Sequence, residues 1–267
     1  MNTRLAAKQI AFYRDNGFLA IPDFLDAAEL ETWRRATQEA VDQRLASQYG
    51  LSNQEPAGFG NDYYKRVFTQ CLRLADTHAG LRALIYDPRI AEMIGTLAGV
   101  DGIRVWHDQA LFKPPHGNPT AWHLDTPYWS FSSRDALSIW IALDDATLEN
   151  GCMWYLPGGH KTARFDNSGI GPNMGDLFQI YPDWAKLEPV PVPLKAGGAA
   201  IHNGLAAHAA GPNMTPRPRR AMTCAYMPDG CTFNGQRNIL PKEMFEKLKP
   251  GDPLTDPHQN PLLWSRR

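Results

Sequence analysis

Apolar residues recur at helical spacing in three segments of the first hundred residues, separated by turn residues. The first segment ends at Asn16 and Gly17, a pair that commonly terminates a helix. The second begins at Asp26 with Glu29 three residues later, which is the pattern of a capping box. A short strand, FLAIP, is predicted between these two helices.

The third helical segment lies at YDPRIAEMIGTLAG. Asp87 suits the N-cap, Pro88 suits the first helical position, and Gly99 suits the residue after the C-terminus. The N-terminal third of the chain is therefore predicted to be helical.

After residue 100 the pattern changes to alternation, which is typical of strands with two different faces. In IRVWHDQALFK the alternation gives one face the residues Val105, His107, Gln109, Leu111 and Lys113. On that face, His107 is either directed into the interior of a barrel or is a hydrogen-bonded core histidine. The segment ALSIWIALDD has an apolar face with Leu137, Ile139, Ile141 and Leu143, opposite Ser138, Trp140 and Ala142.

Four more segments are predicted to be strands, separated by turn residues: CMWYLPGG, VPVPL, GAAIHNG and RAMTCAYMP. Helices followed by many short strands predict a mainly β protein with α-helices, in which a double-stranded β-helix (a cupin-like jelly roll) is flanked by N-terminal helices. The length fits a single domain over residues 1–267. Within it we expect mostly helical support at 1–100, the jelly-roll core at 101–235 and a C-terminal extension at 236–267.

Composition and charge exclude several classes of function. The formal net charge is -1, so no global attraction to nucleic acid or anionic lipid is expected. The sequence has neither a run of about 18 apolar residues nor the apolar run of a signal peptide, so no membrane partner is expected. The four cysteines form no C-x-x-C pair, which argues against structural zinc and a disulfide framework. We therefore expect a cytoplasmic protein with a small-molecule substrate, and no pattern selects an oligomeric state.

The segment 165–188 shows little periodicity. A stretch of this length without secondary structure is often a lid or a binding loop. Its role is left open by the sequence.

The stretch TAWHLDTPYWSF places His123 and Asp125 two residues apart among apolar and aromatic residues. Side chains at positions i and i+2 of a strand point to the same side, so these two can converge on one point. The pair is either half of a metal site or an ordinary polar pair at the end of a strand. A metal site needs a further ligand, and His202 and His208 are the downstream candidates.

Arg219 favours His208, because it follows that histidine by eleven residues, and no arginine follows His202 at the same spacing. Two histidines and one carboxylate form the facial triad of non-haem Fe(II) oxygenases, which leaves about three positions of an octahedral ion open. A nearby arginine can bind a distal carboxylate with two parallel hydrogen bonds, which suits a dicarboxylate such as 2-oxoglutarate. His202 is then expected to be structural or to support a ligand.

Five stretches make the chain resemble the phytanoyl-CoA dioxygenase family of Fe(II)- and 2-oxoglutarate-dependent oxygenases. They are FYRDNGFLAIPDFLDAAEL, LFKPP, WHLD, SIWIALDDATLENGCMWYLPGGHK and HAAGPNMTPRPRRA, and together they extend over most of the chain. The resemblance implies that the protein uses Fe(II), 2-oxoglutarate and O2. It implies that His123, Asp125 and His208 bind iron and that Arg219 binds the C5 carboxylate of 2-oxoglutarate.

By the same resemblance, Lys113 and Trp140 match positions that line the co-substrate pocket. From the residue types alone, Lys113 could equally be a surface lysine and Trp140 a core residue. Tyr128, Trp129 and Phe131 are candidates for the substrate wall, although core packing explains them nearly as well. No catalytic side chain is expected beyond the metal centre.

Two positions depart from the family pattern, because relatives often have glutamine at the position of Leu124 and serine at that of Ala210. Halogenating relatives replace the carboxylate ligand by a small residue, so Asp125 favours hydroxylation or a related oxidation. We expect hydroxylation of an unactivated C–H bond of a small or medium-sized metabolite, with release of succinate and CO2. The alternatives are a metal-binding cupin-like module that binds a small acid without turnover, and an oxygenase that desaturates its substrate or closes a ring.

Overall fold

The computed structural model describes residues 1–54 and 59–266. The α-helices are α1 (Ala7–Asn16), α2 (Ala27–Leu45), α3 (Asp62–Lys65), α4 (Ala79–Ile85), α5 (Pro88–Ala98), α6 (Asp176–Ile180) and α7 (Lys242–Phe245). The β-strands are β1 (Phe18–Ile21), β2 (Thr69–Leu72), β3 (Gly102–Lys113), β4 (Thr120–His123), β5 (Leu137–Ala142), β6 (Met153–Tyr155), β7 (Val190–Val192), β8 (Ala199–Asn203), β9 (His208–Ala210), β10 (Arg219–Pro228) and β11 (Leu262–Ser265). Short 3-10 turns occupy Leu74–Asp76, Thr126–Tyr128, Gly159–Lys161 and Pro182–Lys186.

The strands form two antiparallel sheets. The larger sheet has the order β1-β8-β5-β10-β3-β11, with β2 also paired to β3, and the smaller sheet has the order β4-β9-β6-β7. Their inner faces meet in an apolar cluster that contains Trp140 and Ala200 from the larger sheet and Met153 and Tyr155 from the smaller one. This arrangement, with helices added, confirms the predicted jelly-roll core.

The predicted helix ends are confirmed by their capping contacts. Asp26 accepts a hydrogen bond from the backbone N–H of Glu29 at 2.8 Å, and Glu29 accepts one from the backbone N–H of Asp26 at 3.0 Å. Helix α1 ends at Gly17, which has φ +83°, a left-handed conformation that glycine adopts without steric cost. Asp87 caps α5, with Pro88 at its start.

The helices cover the outer face of the larger sheet. Strand β5 buries Leu137, Ile139 and Ile141 against them, and its other face, with Ser138 and Trp140, is directed toward the smaller sheet. The predicted alternation of β5 is therefore confirmed. Truncating a buried side chain of this kind to alanine typically costs about 2–5 kcal/mol of stability. The packing between the helices and the larger sheet therefore stabilises the sheet that carries the site.

The alternation predicted for β3 is wrong at Val105. Val105 packs in the layer between sheet and helices, whereas His107 lines the interior between the sheets. The cause is a β-bulge, because Ala225 of β10 pairs with His107 and the next residue, Tyr226, pairs with Val105, which leaves Trp106 unpaired. From His107 to Lys113 the predicted alternation holds.

Strands from outside residues 101–235 extend the larger sheet. β1 pairs with β8, and both β2 and β11 pair with β3. The N-terminal hundred residues therefore contribute two strands besides their helices. No helix among residues 1–54 and 59–266 is both long enough and apolar enough to cross a membrane.

The segment 165–188 is not wholly without secondary structure. Its second half forms α6 and the 3-10 turn Pro182–Lys186, and it buries Leu177, Tyr181 and Trp184 against the smaller sheet. Short helices held by aromatic side chains escape a search for long periodic patterns, which is why the sequence suggested a loop.

Candidate metal centre

Three side chains with metal-ligating atoms meet between the two sheets. One ligand atom of each of His123, Asp125 and His208 lies within 4.8 Å of the others. His123 and His208 are paired neighbours on β4 and β9, with ring centroids 4.2 Å apart. Asp125 Oδ1 lies 3.8 Å from His123 Nε2 and 3.6 Å from His208 Nε2. The predicted convergence is therefore present.

The convergence does not come from strand alternation. β4 ends at His123, and Asp125 has φ -84° and ψ -51°, so the chain has already turned when it reaches the carboxylate. The turn is fastened by the backbone N–H groups of Asp125 and Thr126, which both donate to the carbonyl of Gly204 at 2.9 Å. A Cβ on Gly204 would lie 2.1 Å from Thr126 Oγ1, so only glycine fits there.

The two histidines present the same ring nitrogen to the centre. Nδ1 of His123 lies 2.8 Å from the carbonyl of Ala121, and Nδ1 of His208 lies 3.0 Å from the carbonyl of Ala206. A carbonyl oxygen can only accept a hydrogen bond, so Nδ1 of each histidine carries the proton. Nε2 is then left with a lone pair that can bind a metal. Burial lowers the pKa of both imidazoles, which favours the neutral form that binds metals.

Asp125 uses its second oxygen for contacts with the protein. Oδ2 accepts a hydrogen bond from Ser138 Oγ at 3.0 Å and lies 3.2 Å from His202 Nε2. His202 Nδ1 lies 3.1 Å from the hydroxyl of Tyr155, which can donate to it. Burial raises the pKa of Asp125, but the neighbouring histidines, His208 first, outweigh it, so the pKa is lowered and the group is a carboxylate. Oδ1 is thus left to face the two ligand nitrogens.

The peptide between the first two candidate ligands is held by a side chain from segment 165–188. Asn167 Oδ1 accepts from the backbone N–H of Leu124 at 3.0 Å, and Asn167 Nδ2 donates to the carbonyl of Leu124 at 2.7 Å. The Asn167 side chain thus makes the two backbone hydrogen bonds to Leu124 that a neighbouring strand would otherwise make. Asn167 could not be identified from the sequence, because nothing local signals a contact 43 residues away.

His202 is expected to support metal binding through Asp125. Replacing it with alanine removes one of the two partners that orient Oδ2, and losing such an outer partner typically weakens metal binding about 10- to 100-fold. Titration with Co(II), followed by its absorption spectrum, measures the affinity. His107→Ala, which removes another buried histidine from the same interior, is the matched control and should leave the affinity unchanged. Equal affinities of His202→Ala and the unaltered protein would contradict this role.

A buried guanidinium and a buried amine lie on neighbouring strands of the larger sheet. Arg219 and Lys113 are paired neighbours on β10 and β3, and both side chains are 0% exposed. The Arg219 guanidinium lies 5.0 Å from the ring centroid of Trp140 and 5.8 Å from that of Phe68. Lys113 Nζ lies 4.7 Å from the Phe68 centroid and donates to the carbonyl of Asn118 at 2.5 Å. The alternative of a surface lysine at position 113 is therefore wrong.

The hydrogen-bonding groups of Arg219 are buried. Within the described residues, none of its three nitrogens has a hydrogen-bond partner. An unpaired charge away from water costs several kcal/mol, so such a group normally faces an anion. Burial lowers the pKa of Arg219 to about 10, and it lowers the pKa of Lys113 to about 6, with Arg219 contributing to the second shift. A carboxylate bound here would relieve both groups.

The residues therefore fit a metal ion together with a dicarboxylate. Two neutral imidazoles and one carboxylate suit Fe(II) and leave coordination positions open. The unpartnered guanidinium suits the distal carboxylate of a molecule that chelates that ion.

A cavity of about 490 Å³ extends from the candidate metal ligands toward β2 and β3. Tyr128 and Trp129 line it, as predicted from the sequence, and so does Trp140. Phe131 is not among the described lining residues. It is stacked behind Trp129 with ring centroids 5.4 Å apart, so it supports that wall and does not form it. Lining residues that the sequence analysis missed include Tyr64, Phe68, Gln70, Thr223, Asn238 and Ile239.

Comparisons with known proteins agree with this geometry. The family model for phytanoyl-CoA dioxygenase matches residues 13–221. The chain is 30% identical over 235 residues to a methylphosphonate hydroxylase of Gimesia maris, covering 85% of this chain and 82% of the relative. It is 31% identical over 233 residues to the dioxygenase lolE1 of Epichloe uncinata, covering 83% and 82% respectively. The structure of SnoK, a non-heme alpha ketoglutarate dependent carbocyclase from nogalamycin biosynthesis, superimposes with a TM-score of 0.79 at 29% identity, covering 97% of this chain and 96% of SnoK.

Proposed function

The chain belongs to the phytanoyl-CoA dioxygenase family, and on that basis we propose that it hydroxylates an unactivated C–H bond of a small or medium-sized metabolite. Its relatives make it an oxygenase that depends on Fe(II) and 2-oxoglutarate, with succinate and CO2 as the products of the co-substrate. The observation that supports this activity best is the buried Arg219 guanidinium, which has no hydrogen-bond partner among the described residues and lies between the same two sheets as His123, Asp125 and His208.

In this proposal His123, Asp125 and His208 would hold Fe(II). When bound, Fe(II) supplies, with 2-oxoglutarate and dioxygen, an oxidant that can take hydrogen from carbon. The protein holds the two imidazoles neutral and Asp125 ionised. Ser138 and His202 hold the second oxygen of Asp125, which keeps its first oxygen directed at the ion.

Arg219 and Lys113 orient the co-substrate by its distal carboxylate. Phe68 and Trp140 lie against the guanidinium and keep water from it, so each charged hydrogen bond is stronger than it would be in solvent. Because Arg219 and Lys113 occupy paired positions of β10 and β3, the separation of their backbones is set by the sheet and not by a loop.

Tyr128 and Trp129 form part of the substrate side in this proposal. The Tyr128 hydroxyl donates to the carbonyl of Ser168 at 2.8 Å, which ties the turn after β4 to segment 165–188. Gly169 and Ile170 of that segment also line the cavity. These groups shield the metal side from bulk water, which protects a reactive oxidant from competing reactions.

The activity is tested with Fe(II), 2-oxo[1-14C]glutarate and ascorbate in air. Labelled CO2 should be released and succinate formed when a substrate is present. Under 18O2, one labelled oxygen should enter the hydroxylated product and one should enter succinate. A protein that retains Fe(II) and 2-oxoglutarate but forms no succinate with any candidate metabolite would be a binding module. A product that is desaturated or ring-closed and carries no added oxygen would show that the protein catalyses a different reaction within the same class of oxygenases.

The affinity for 2-oxoglutarate is expected to fall as the pH rises from 6.5 to 8.5. Burial lowers the pKa of Lys113 to about 6, so the amine is neutral at the upper end of this range. A carboxylate beside it favours the protonated amine, so binding takes up a proton, and the affinity falls by up to about tenfold per pH unit. Calorimetric titration of the Mn(II)-loaded protein measures the slope, with Lys113→Met as control. The same slope in Lys113→Met would assign the effect to another group.

A further inference from the structure

Three polar side chains are joined by hydrogen bonds along one wall of the cavity. The hydroxyl of Tyr64 donates to Oε1 of Gln70 at 2.8 Å, and Nε2 of Gln70 donates to Oε1 of Gln109. All three residues line the cavity. None of them is a candidate ligand of the metal or of 2-oxoglutarate, so this row of hydrogen bonds needs another explanation.

The pairing of β2 with β3 brings the two glutamines to the same face of the larger sheet. Gln70 pairs with Leu111 and Leu72 pairs with Gln109, so the two amides are diagonal neighbours. Cys71, between Gln70 and Leu72, points the other way and packs in the layer against the helices. The amide of Gln109 is therefore positioned by two strands and by its contact with Gln70.

The tyrosine sets the direction of these hydrogen bonds. Within the described part of the chain, Gln70 is the only hydrogen-bond partner of the Tyr64 hydroxyl, so the phenol hydrogen is paired only when Gln70 presents Oε1 to it. Burial raises the pKa of Tyr64, and the charges of Tyr128 and Asp125 add to this shift, so the phenol keeps its proton. Gln70 therefore directs its N–H groups at Oε1 of Gln109, which leaves Nε2 of Gln109 for the cavity.

Nε2 of Gln109 can be reached by a ligand. It has no hydrogen-bond partner among residues 1–54 and 59–266, and it is not enclosed by the protein. A primary amide nitrogen carries two N–H donors and accepts nothing. A molecule that covers these donors without accepting from them takes away their contact with water and leaves them unpaired, which costs free energy.

Gln109 and the metal centre open on the same cavity. Thr223 of β10 pairs with Gln109 on one side and with Trp140 of β5 on the other. Ser138, which holds Asp125, precedes Trp140 by two residues. The backbones of Gln109 and Ser138 are thus two strand spacings apart across the sheet and two residues apart along it, about 12 Å in all. Because Gln109 and Asp125 both extend into the cavity, a molecule of modest size can contact Nε2 and place a carbon beside the metal.

The distal carboxylate of the co-substrate does not account for these donors. Gln109 and Lys113 are four residues apart along β3, which is about 13 Å between their backbones. Arg219 pairs with Lys113, so both proposed contacts of that carboxylate lie at that position of the strand. The donors of Gln109 are therefore available to the substrate.

We propose that Gln109 is a specificity-determining residue, and that the substrate carries a hydrogen-bond-accepting oxygen, such as a carbonyl oxygen, to which Nε2 donates. This inference rests on the proposed oxygenase function and narrows its class of substrate. Tyr64 and Gln70 are positioning residues, because they hold the amide with its nitrogen toward the cavity. A hydrocarbon of the same shape is selected against, since it buries the two donors unpaired.

The test compares two probes of the same shape, acetophenone and α-methylstyrene, which differ in having a carbonyl oxygen or a methylene group. Each is dialysed to equilibrium against protein loaded with Mn(II) and 2-oxoglutarate, and the ratio of the two dissociation constants gives the preference for the carbonyl. Gln109→Leu should lower this preference about tenfold. Gln109→Glu keeps an oxygen that accepts from Gln70 but presents an acceptor to the cavity, so it should lower the preference at least as far.

Tyr64→Phe and Thr223→Val separate the hydrogen-bond relay from general effects on the cavity. Tyr64→Phe removes the donor that orients the Gln70 amide, so the preference should fall, but by less than in Gln109→Leu. A merely structural role of Tyr64 would change both dissociation constants alike, and an unchanged preference would overturn its positioning role. Thr223→Val alters the paired neighbour of Gln109 on β10 and should leave the preference unchanged.

Binding of Mn(II) and of 2-oxoglutarate is measured in the same preparations, and Gln109→Leu should change neither. If the unaltered protein binds both, four results overturn the proposal: an unchanged preference in Gln109→Leu, an equal loss of preference in Thr223→Val, loss of 2-oxoglutarate binding in Gln109→Leu, or failure of both probes to bind. In each case the oxygenase function stands. If the unaltered protein fails to bind Mn(II) or 2-oxoglutarate, the proposed function fails, and the assignment of Gln109 fails with it.

Discussion

Replacing His208 with alanine is expected to abolish stoichiometric binding of Fe(II). One ligand atom from each of His123, Asp125 and His208 lies within 4.8 Å of the others, and the substitution removes the one from His208. Only two candidate ligands then remain. Loss of an outer contact already weakens metal sites about 10- to 100-fold, so loss of a ligand itself should exceed about 100-fold. Iron content after gel filtration, and Co(II) titration, measure the loss. Succinate formation should disappear with it.

The matched control for this variant is His107→Ala. It removes a second buried histidine from the same cavity without touching the candidate ligands, so it should keep about one iron per chain. Circular dichroism of both variants separates loss of metal from loss of fold. One equivalent of iron retained by a folded His208→Ala protein would remove His208 from the metal centre.

Replacing Arg219 with alanine is expected to raise the KM for 2-oxoglutarate by two to three orders of magnitude with iron binding preserved. Removing one partner of a buried, hydrogen-bonded charge pair costs about 2–5 kcal/mol, which is about 30- to several thousand-fold. The guanidinium also lies against Trp140 and Phe68, so lysine, which cannot form two parallel hydrogen bonds there, should restore only part of the affinity. Initial rates of CO2 release against 2-oxoglutarate concentration measure the change.

Arg220 provides the control for this substitution. It is the next residue on β10, but its side chain pairs with Asp144, with guanidinium-to-carboxylate contacts of 3.0 and 2.9 Å. Arg220→Ala should therefore cost some stability and leave the KM unchanged. An unchanged KM in Arg219→Ala, or a similar rise in both variants, would show that Arg219 does not bind the co-substrate.

The parts of the fold that could be predicted are those set by local signals. Asp26 and Glu29 cap α2 because both groups lie within one helical turn, and β5 alternates because each of its faces meets a different layer. The proximity of His123, Asp125 and His208 was also predictable, since a triad and an arginine at a fixed spacing leave a pattern in the chain. The three-segment division of the domain and the roles of the site residues stay predictions.

Other features depend on contacts between distant segments. The bulge that separates Val105 from His107 arises where β3 pairs with β10, more than a hundred residues later, so no local pattern marks it. Ser138 and Asn167 hold the candidate ligands from other elements, and each could be found only after the sheets were assembled. The sequence predicts that Phe131 lines the cavity, whereas the structure has it stacked behind Trp129. Proximity in sequence does not show which of the two rings faces the cavity.

The division of the cavity between sheet and loops has a consequence for diversification of the protein. The candidate iron ligands lie on strands or directly after them, and Arg219 and Lys113 also lie on strands, whereas Asn238, Ile239, Gly169 and Ile170 line the cavity from loops. Mutation or directed evolution of those loop positions can therefore enlarge or reshape the substrate space while iron and 2-oxoglutarate binding are retained. New substrate preferences can thus be acquired one loop at a time from a chain that remains an active oxygenase.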